Sequence, residues 1–236
     1  PGESSYTKYD AAVTQRSCDW LAEAAGSQAP WCLYVGLVAP HHPLIAPPEF
    51  YDMYPTDQLP ADKLRGLPRH PWIDKTSAAM VGEEGWTDEE ERRVAIAAYY
   101  GLTSYMDDNV GRIVAALKAS GQFDNTTIIY SSDHGESLGT RNLWGKMTMY
   151  EESAKIPLIV APAPVLAATV PALCATPASL LDVSETILDH FHAPLAGERP
   201  GRSLYELAAA PVDPERAVFS ARLRATLRSH RRNERS

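Results

Sequence analysis

The sequence predicts an α/β protein: part of a doubly wound, mostly parallel sheet with helices on its flanks. Three observations predict it. Residues 31–38 are an unbroken apolar run, the composition of a strand buried on both faces of a parallel sheet. From Thr87 onward, apolar side chains recur at three- and four-residue steps for about thirty residues, as in a long helix with one buried face. Two β-branched segments and a further helix follow, so the order is strand, helix, strand, crossover, strand, helix.

Each element has a local reason. Asp10 to Ala25 is helical in composition, with Trp20, Leu21 and Ala24 as its apolar face, and Ala29-Pro30 breaks it. The run Trp31 to Val38 ends at Pro40, before His41 and His42. Pro55 to Glu84 is rich in Pro, Gly and charge, and reads as a long irregular surface excursion of the kind that carries function. Thr87 and Glu90 form a capping box for the long helix, the hydroxyl accepting the N3 amide proton while the carboxylate reaches back to the cap amide. Its buried stripe is Val94, Ala98, Leu102, Met106, Val110, Ile113 and Leu117, and Gly121 stops it. Thr126 to Tyr130 is a β-branched strand running into Ser131-Ser-Asp-His-Gly-Glu136. Met149 to Ala154 reads as a helical turn and Ile156 to Ala161 as another buried strand. A last helix spans about Ser179 to Phe191, with Leu180, Val183, Ile187 and Phe191 on one side.

Composition narrows the class. With 44% hydrophobic and 22% charged residues, the 236-residue chain can bury a sizeable core, which excludes a disordered or fibrous protein. No apolar run approaches a membrane span, and no signal-peptide pattern opens the chain. The net charge of −8 argues against nucleic-acid binding by the body of the protein. That charge is uneven: residues 215–236 hold seven Arg against two Glu. This end reads as a solvated, poorly ordered tail distinct from a body at 1–214, with contact to an anionic surface as the alternative. Cys18, Cys32 and Cys174 are odd in number and lack C-x-x-C spacing, which disfavours a disulfide framework or a zinc knuckle and slightly favours a reducing, cytoplasmic setting.

Chemistry gathers at the carboxyl ends of strands in open α/β sheets. One strand delivers His41 and His42; another delivers Asp133 and His134, with Gly135 permitting a sharp turn. A carboxylate and an imidazole side by side can reach one metal ion or one anionic substrate. Lys146, in Trp-Gly-Lys, could offset charge on a leaving oxygen or tetrahedral anion. Taken singly, an Asp-His pair is also a turn or cap, and a lysine after glycine is also a solvated side chain. His42 and His70 read as surface residues, and His190 and His192 as helix-end groups.

Read together, these residues carry a resemblance. The string S-S-D-H-G-E-S-L-G-T-R-N-L-W-G-K-M-T-M-Y-E-E-S-A-K-I-P-L-I-V (Ser131 to Val160) resembles the sulfatase family of the alkaline phosphatase superfamily. So do A-P-H-H-P-L-I-A-P-P-E-F-Y (Ala39 to Tyr51), Y-Y-G-L-T-S-Y-M-D-D-N-V-G-R-I (Tyr99 to Ile113), T-P-A-S-L-L-D-V-S-E-T-I-L-D (Thr176 to Asp189) and R-P-G-R-S-L (Arg199 to Leu204). The resemblance implies an alkaline phosphatase-like fold and a metal-dependent hydrolase of small-molecule sulfate esters. It implies Asp133 and His134 as ligands of a divalent cation, calcium or manganese; histidine at the second position is nearer the phosphonate hydrolase and choline sulfatase branch. It implies Lys146 as the lysine contacting sulfate and His41, two before the proline, as the histidine that protonates the leaving alcohol or orients the ester.

Departures from the family pattern matter as much. The family nucleophile is a formylglycine made from Cys or Ser in C/S-x-P/A-x-R, and none of the three cysteines stands in that pattern. An Asp-Asp pair on the family's first strand is also unmatched; Asp107-Asp108 lies mid-helix, where adjacent positions point about 100° apart, and reads as structural. The expectation is a domain incomplete at its N-terminus, with formylglycine upstream and little turnover by this chain alone. The alternatives are a phosphonate monoester or phosphodiester hydrolase on the same scaffold, and a non-catalytic fragment. The alcohol half of the substrate and the oligomeric state are left open.

Overall fold

A computed structural model describes residues 1–27, 29–59, 66–73, 88–164, 173–193, 197 and 199–220. The chain divides into two compact units, Pro1–Val170 and Pro171–Ser236.

In the first unit, helix α1 spans Ser5–Ala24. It starts five residues before the sequence expectation because Ser4 caps it: the Thr7 amide donates to Ser4 Oγ (3.1 Å) while the Ser4 amide donates to Thr7 Oγ1 (2.9 Å). Its buried positions are Thr7, Asp10, Thr14, Ser17 and Leu21, a helical stripe that is mostly polar and therefore invisible to an apolar count. Tyr105 donates from this interface to the Thr7 carbonyl at 2.6 Å.

The expected strand at 31–38 does not form. The only strand pairing among the described residues is between two other segments, so this apolar run has no ladder partner and forms no regular element. Tyr34 is 90% exposed, and the Val38 and Ala39 amides donate to the Asp10 carboxylate instead. Helix α2, Pro48–Tyr51, begins on a proline, whose missing amide is no loss in a first turn.

Helix α3 runs unbroken over Glu89–Ala119. The N-cap is Asp88, accepting from the Glu90 and Glu91 amides; the expected cap Thr87 and most of the 55–84 excursion lie outside the described residues. Ala98, Leu102 and Leu117 are buried as expected, but Val94 is 40% exposed, and Arg92, Gly101, Tyr105 and Asn109 occupy the buried face as well. Gly101 lets α2 approach, since a Cβ there would lie 3.1 Å from the Phe50 backbone.

Strands β1 (Ile128–Ser131) and β2 (Leu158–Ala161) pair in antiparallel register, Ile128 opposite Ala161 and Ser131 opposite Leu158. The described residues hold this one antiparallel pair, and the mostly parallel, doubly wound arrangement expected from the order of elements is not seen among them. Residues 132–157, including the turn of helix α4 (Glu151–Ala154), return the chain at the same end of the pair, and a strand re-entering there must run backward. The chain therefore has α/β character with one short described sheet and a predominance of helix.

In the second unit, helix α5 covers Leu180–His190, with Ser179 and Asp182 as its capping box. Its deepest side chains are Asp182, Glu185 and Thr186, while Leu180 and Phe191, expected on the buried face, are 42% and 39% exposed. Cations explain the inversion. Arg216 donates to both Asp182 oxygens, at 2.7 and 3.0 Å, and Arg199 pairs with Glu185. Arg216, counted by sequence with the basic tail, is thus bound to this unit; residues 221–236 of that tail lie outside the described residues. A short helix α6, Leu204–Ala209, completes the unit and was not expected. No helix among the described residues is long and apolar enough to cross a membrane.

Candidate active site

The site forms where β1 hands over to the long connection toward α4. Gly135 makes this hand-over possible, for a reason other than the expected turn conformation: a Cβ there would lie 2.1 Å from the Glu152 carbonyl oxygen. Its amide donates to the Ser153 carbonyl at 2.8 Å, fastening the exit of β1 to α4. Glu136, to which the sequence pattern assigns no role, organises the loop beyond it. Its Oε1 accepts from the Leu138 amide (3.0 Å) and from the Gly145 amide (2.6 Å), closing the loop so that Lys146 lines the same cleft as His134. Gly145 has φ +75°, a left-handed value that suits glycine.

Arginines brace this loop from outside. Arg92, 1% exposed on α3, donates to Asn142 Oδ1 (2.7 Å) and the Gly139 carbonyl (3.3 Å), with its guanidinium 5.5 Å from the Trp144 ring. Arg69, from the described part of the excursion, donates to the Arg141 carbonyl at 2.8 Å. Arg141 itself pairs with Glu152 at 2.9 Å and lies 4.1 Å over Tyr150. Such bracing is needed because Leu138, Arg141 and Asn142 all have positive φ, a costly backbone state for these residues.

All four residues singled out by sequence line one cleft of about 300 Å³, with Leu37 to Pro40, His42, Tyr99, Ser132, Gly135 and Glu136. Lys146 Nζ lies 2.5 Å from His41 Nε2, although 105 residues separate them. His41 Nδ1 lies 2.8 Å from the His42 carbonyl. A carbonyl can only accept, so Nδ1 carries the proton and Nε2 takes its bond from the ammonium. The His41 ring meets that of His134 edge-on, centroids 5.8 Å apart. His42 has its pKa lowered by partial desolvation first, then by electrostatic repulsion from the neighbouring His41 and Lys146 side chains, with Glu136 opposing.

Asp133 is exposed, and its Oδ2 lies 3.6 Å from His134 Nε2. His134 Nδ1 is 2.9 Å from the Gly135 carbonyl and by the same logic carries the proton, so Nε2 is the ring nitrogen that faces the carboxylate. Two acceptors facing one another need a proton or a cation between them, and an imidazole oriented by a backbone carbonyl is the usual state of a metal-bound histidine. The pair fits a divalent cation in chemical kind. It is a partial set: among the described residues no group of three or more His, Cys, Asp or Glu is assembled for a metal, and calcium takes six to eight oxygens.

Tyr99 is the other residue missed by sequence, where Y-Y-G-L reads only as helix. It lines both this cleft and a cavity of about 220 Å³ that Ile96, Tyr100, Leu138 and Glu152 help to line. Burial, then the Glu136 charge, push its pKa up to about 12, so the phenol stays protonated as a donor. No local signal marks it, since its place in the cleft depends on which turn of α3 the loop crosses.

Comparison with known proteins gives a consistent set of relatives. The Sulfatase family model matches residues 2–193. The chain is 36% identical over 214 residues to the multifunctional alkaline phosphatase superfamily protein PehA of Trinickia caryophylli, covering 83% of this chain and 40% of PehA. It is 34% identical over 138 residues to the choline-sulfatase of Rhizobium meliloti, covering 57% of this chain and 27% of that protein. Among solved structures, the phosphonate monoester hydrolase SpPMH of Silicibacter pomeroyi superimposes with a TM-score of 0.72 at 30% identity, over 86% of this chain and 42% of the other. In each match the chain spans less than half of its relative's length.

Proposed function

The chain belongs to the sulfatase family, a family of sulfuric ester hydrolases, and we propose that it contributes the leaving-group and anion-binding side of a metal-dependent sulfate ester hydrolase. The observation that carries this is the contact between Lys146 Nζ and His41 Nε2 at 2.5 Å, in the same cleft as Asp133 and His134. Lys146 supplies a fixed positive charge for sulfate oxygens, held in place through Gly145 and Glu136. Its ammonium keeps a proton one hydrogen bond from His41 Nε2, and in this reading His41 assists the departing alkoxide. Tyr99 offers a further donor from the cleft wall. Asp133 and His134 would hold the cation, calcium or manganese, which when bound polarises ester oxygens as a Lewis acid. A formylglycine would be the nucleophile; no cysteine of this sequence stands in its motif.

Two experiments test the reading. Calorimetric titration of the 236-residue chain with Mn²⁺ or Ca²⁺ is expected to show weak binding that Asp133→Asn lowers at least about tenfold, since one charged ligand of a sparse set is lost. Binding unchanged in that variant would remove the metal from this pair. Expressing the complete open reading frame that encodes the chain, and assaying an aryl sulfate beside an aryl phosphonate monoester, tests the activity. Sulfate ester hydrolysis lost in Lys146→Ala supports the proposal, and hydrolysis of neither ester defeats it. The 236-residue chain alone is expected to show negligible turnover. A second reading, phosphonate monoester hydrolysis, is supported by the superposition with SpPMH, and faster phosphonate hydrolysis in the same assay would favour it.

A further inference from the structure

Asp10 lies on α1, outside the cleft, and its side chain is wholly buried at 0% exposure. Its two oxygens are spent on one dipeptide: Oδ1 accepts from the Val38 amide at 2.7 Å and Oδ2 from the Ala39 amide at 2.8 Å. It makes no ion pair among the described residues. Burying a carboxylate without a cation costs several kcal/mol unless strong hydrogen bonds replace its water. The other buried positions of α1, Thr7, Thr14, Ser17 and Leu21, carry no charge, so packing against α3 does not itself call for one.

What the carboxylate holds leads directly to the site. Pro40 has no amide, and the His41 amide donates back to the Val38 carbonyl at 2.9 Å. The backbone from Val38 to His41 is thus a closed turn whose only other amides are clamped by Asp10. From that turn the His41 ring reaches Lys146. Residues 31–38 have no sheet partner among the described residues, so no strand ladder shares the task.

We propose that Asp10 is a positioning residue for His41: from α1 it locks Val38 and Ala39, and so holds the imidazole against Lys146. The inference rests on reading His41 and Lys146 as the substrate-facing pair, but its test needs no turnover. Diethyl pyrocarbonate acylates neutral imidazole nitrogens, and residue-resolved mass spectrometry follows each histidine of the 236-residue chain separately. In the native protein His41 Nε2 is covered by the ammonium and should react slowly. Asp10→Asn keeps the shape but sets a donor against a donor; it is expected to raise the His41 rate about tenfold, the scale of one lost charge-assisted hydrogen bond. Lys146→Met, which uncovers the same nitrogen directly, should give a similar rise, and His70 and His190 should not change. Ser4→Ala removes the α1 cap without touching the clamp and should leave His41 slow.

An unchanged His41 rate in Asp10→Asn, or a rise shared by His70, overturns the proposal. Should Asp10→Asn fail to fold, hydrogen exchange of the native chain decides: the Val38 and Ala39 amides must exchange at least about tenfold more slowly than those of Leu33 to Leu37, and equal rates overturn it. Because no ester is involved, an inactive protein would count against the proposed function while leaving this readout intact.

Discussion

Gly135→Ala is expected to destabilise the first unit by about 3 kcal/mol or more and to disorder the candidate site with it. The added Cβ would stand 2.1 Å from the Glu152 carbonyl oxygen and 3.0 Å from its carbon. Both are backbone atoms, so no side-chain rotation relieves the clash. Overpacking costs about 1–3 kcal/mol by itself. Separating the two segments also sacrifices the 2.8 Å bond from the Gly135 amide to the Ser153 carbonyl, adding about 1 kcal/mol or more. His134 and Glu136 flank the position, so the proposed cation binding should weaken as well. Urea unfolding of both proteins measures the difference. A variant within about 1 kcal/mol of the native protein would show that this approach is not maintained.

The second large effect belongs to the second unit. Asp182, with 0% exposure, accepts from the Arg216 guanidinium and from the amides of Ser179 and Arg202, at 2.7 and 2.8 Å. Asp182→Ala strands a largely buried guanidinium and two amides, and removing one partner of a buried pair costs about 3–5 kcal/mol. A tryptophan-free unit calls for hydrogen exchange of the α5 amides as the probe, and loss of their protection is the expected result. The pH dependence has a definite sign. Burial alone would raise the Asp182 pKa, but Arg216, then the Arg202 and Ser179 amides, outweigh it, and the net shift is downward. A carboxyl depressed in the folded state binds fewer protons there than in the unfolded chain, so stability rises with pH. The contribution is complete above the unfolded value of about 3.9 and is lost as pH falls through the lower folded value. In Asp182→Asn this acid-dependent loss should disappear; protection of α5 falling equally in native and variant proteins would refute the assignment.

Much of this was legible because it is local. The start of α5 at Ser179, the length of α3 and the place of Asp133 and His134 beyond a β-branched strand all depend on contacts within about four residues. Where the reading failed, long-range partners decided. The run at 31–38 has strand composition but no neighbour to pair with among the described residues. The buried stripe of α1 is Thr, Asp, Thr, Ser and Leu, readable only once the Val38 and Ala39 amides are seen to need acceptors. On α5 the apolar side looked like the buried one, yet Arg216, from beyond α6, draws Asp182 inward. Glu136 stands within the motif without any local sign of its task, since its partner Gly145 lies across a loop.

Residue order alone reveals the family to which this chain belongs, the extents of α3 and α5, and residue types whose chemistry suits an anion and a divalent cation. Order and spacing along a chain record those things directly. Tertiary structure alone decided that β2 runs against β1, that Gly135 is required by a neighbouring carbonyl, and that His41 meets Lys146 rather than water. The physical reason is common to all three: each depends on which backbone closes over which, across tens of residues. Capping and periodicity act within a turn or two and carry no information about that closure.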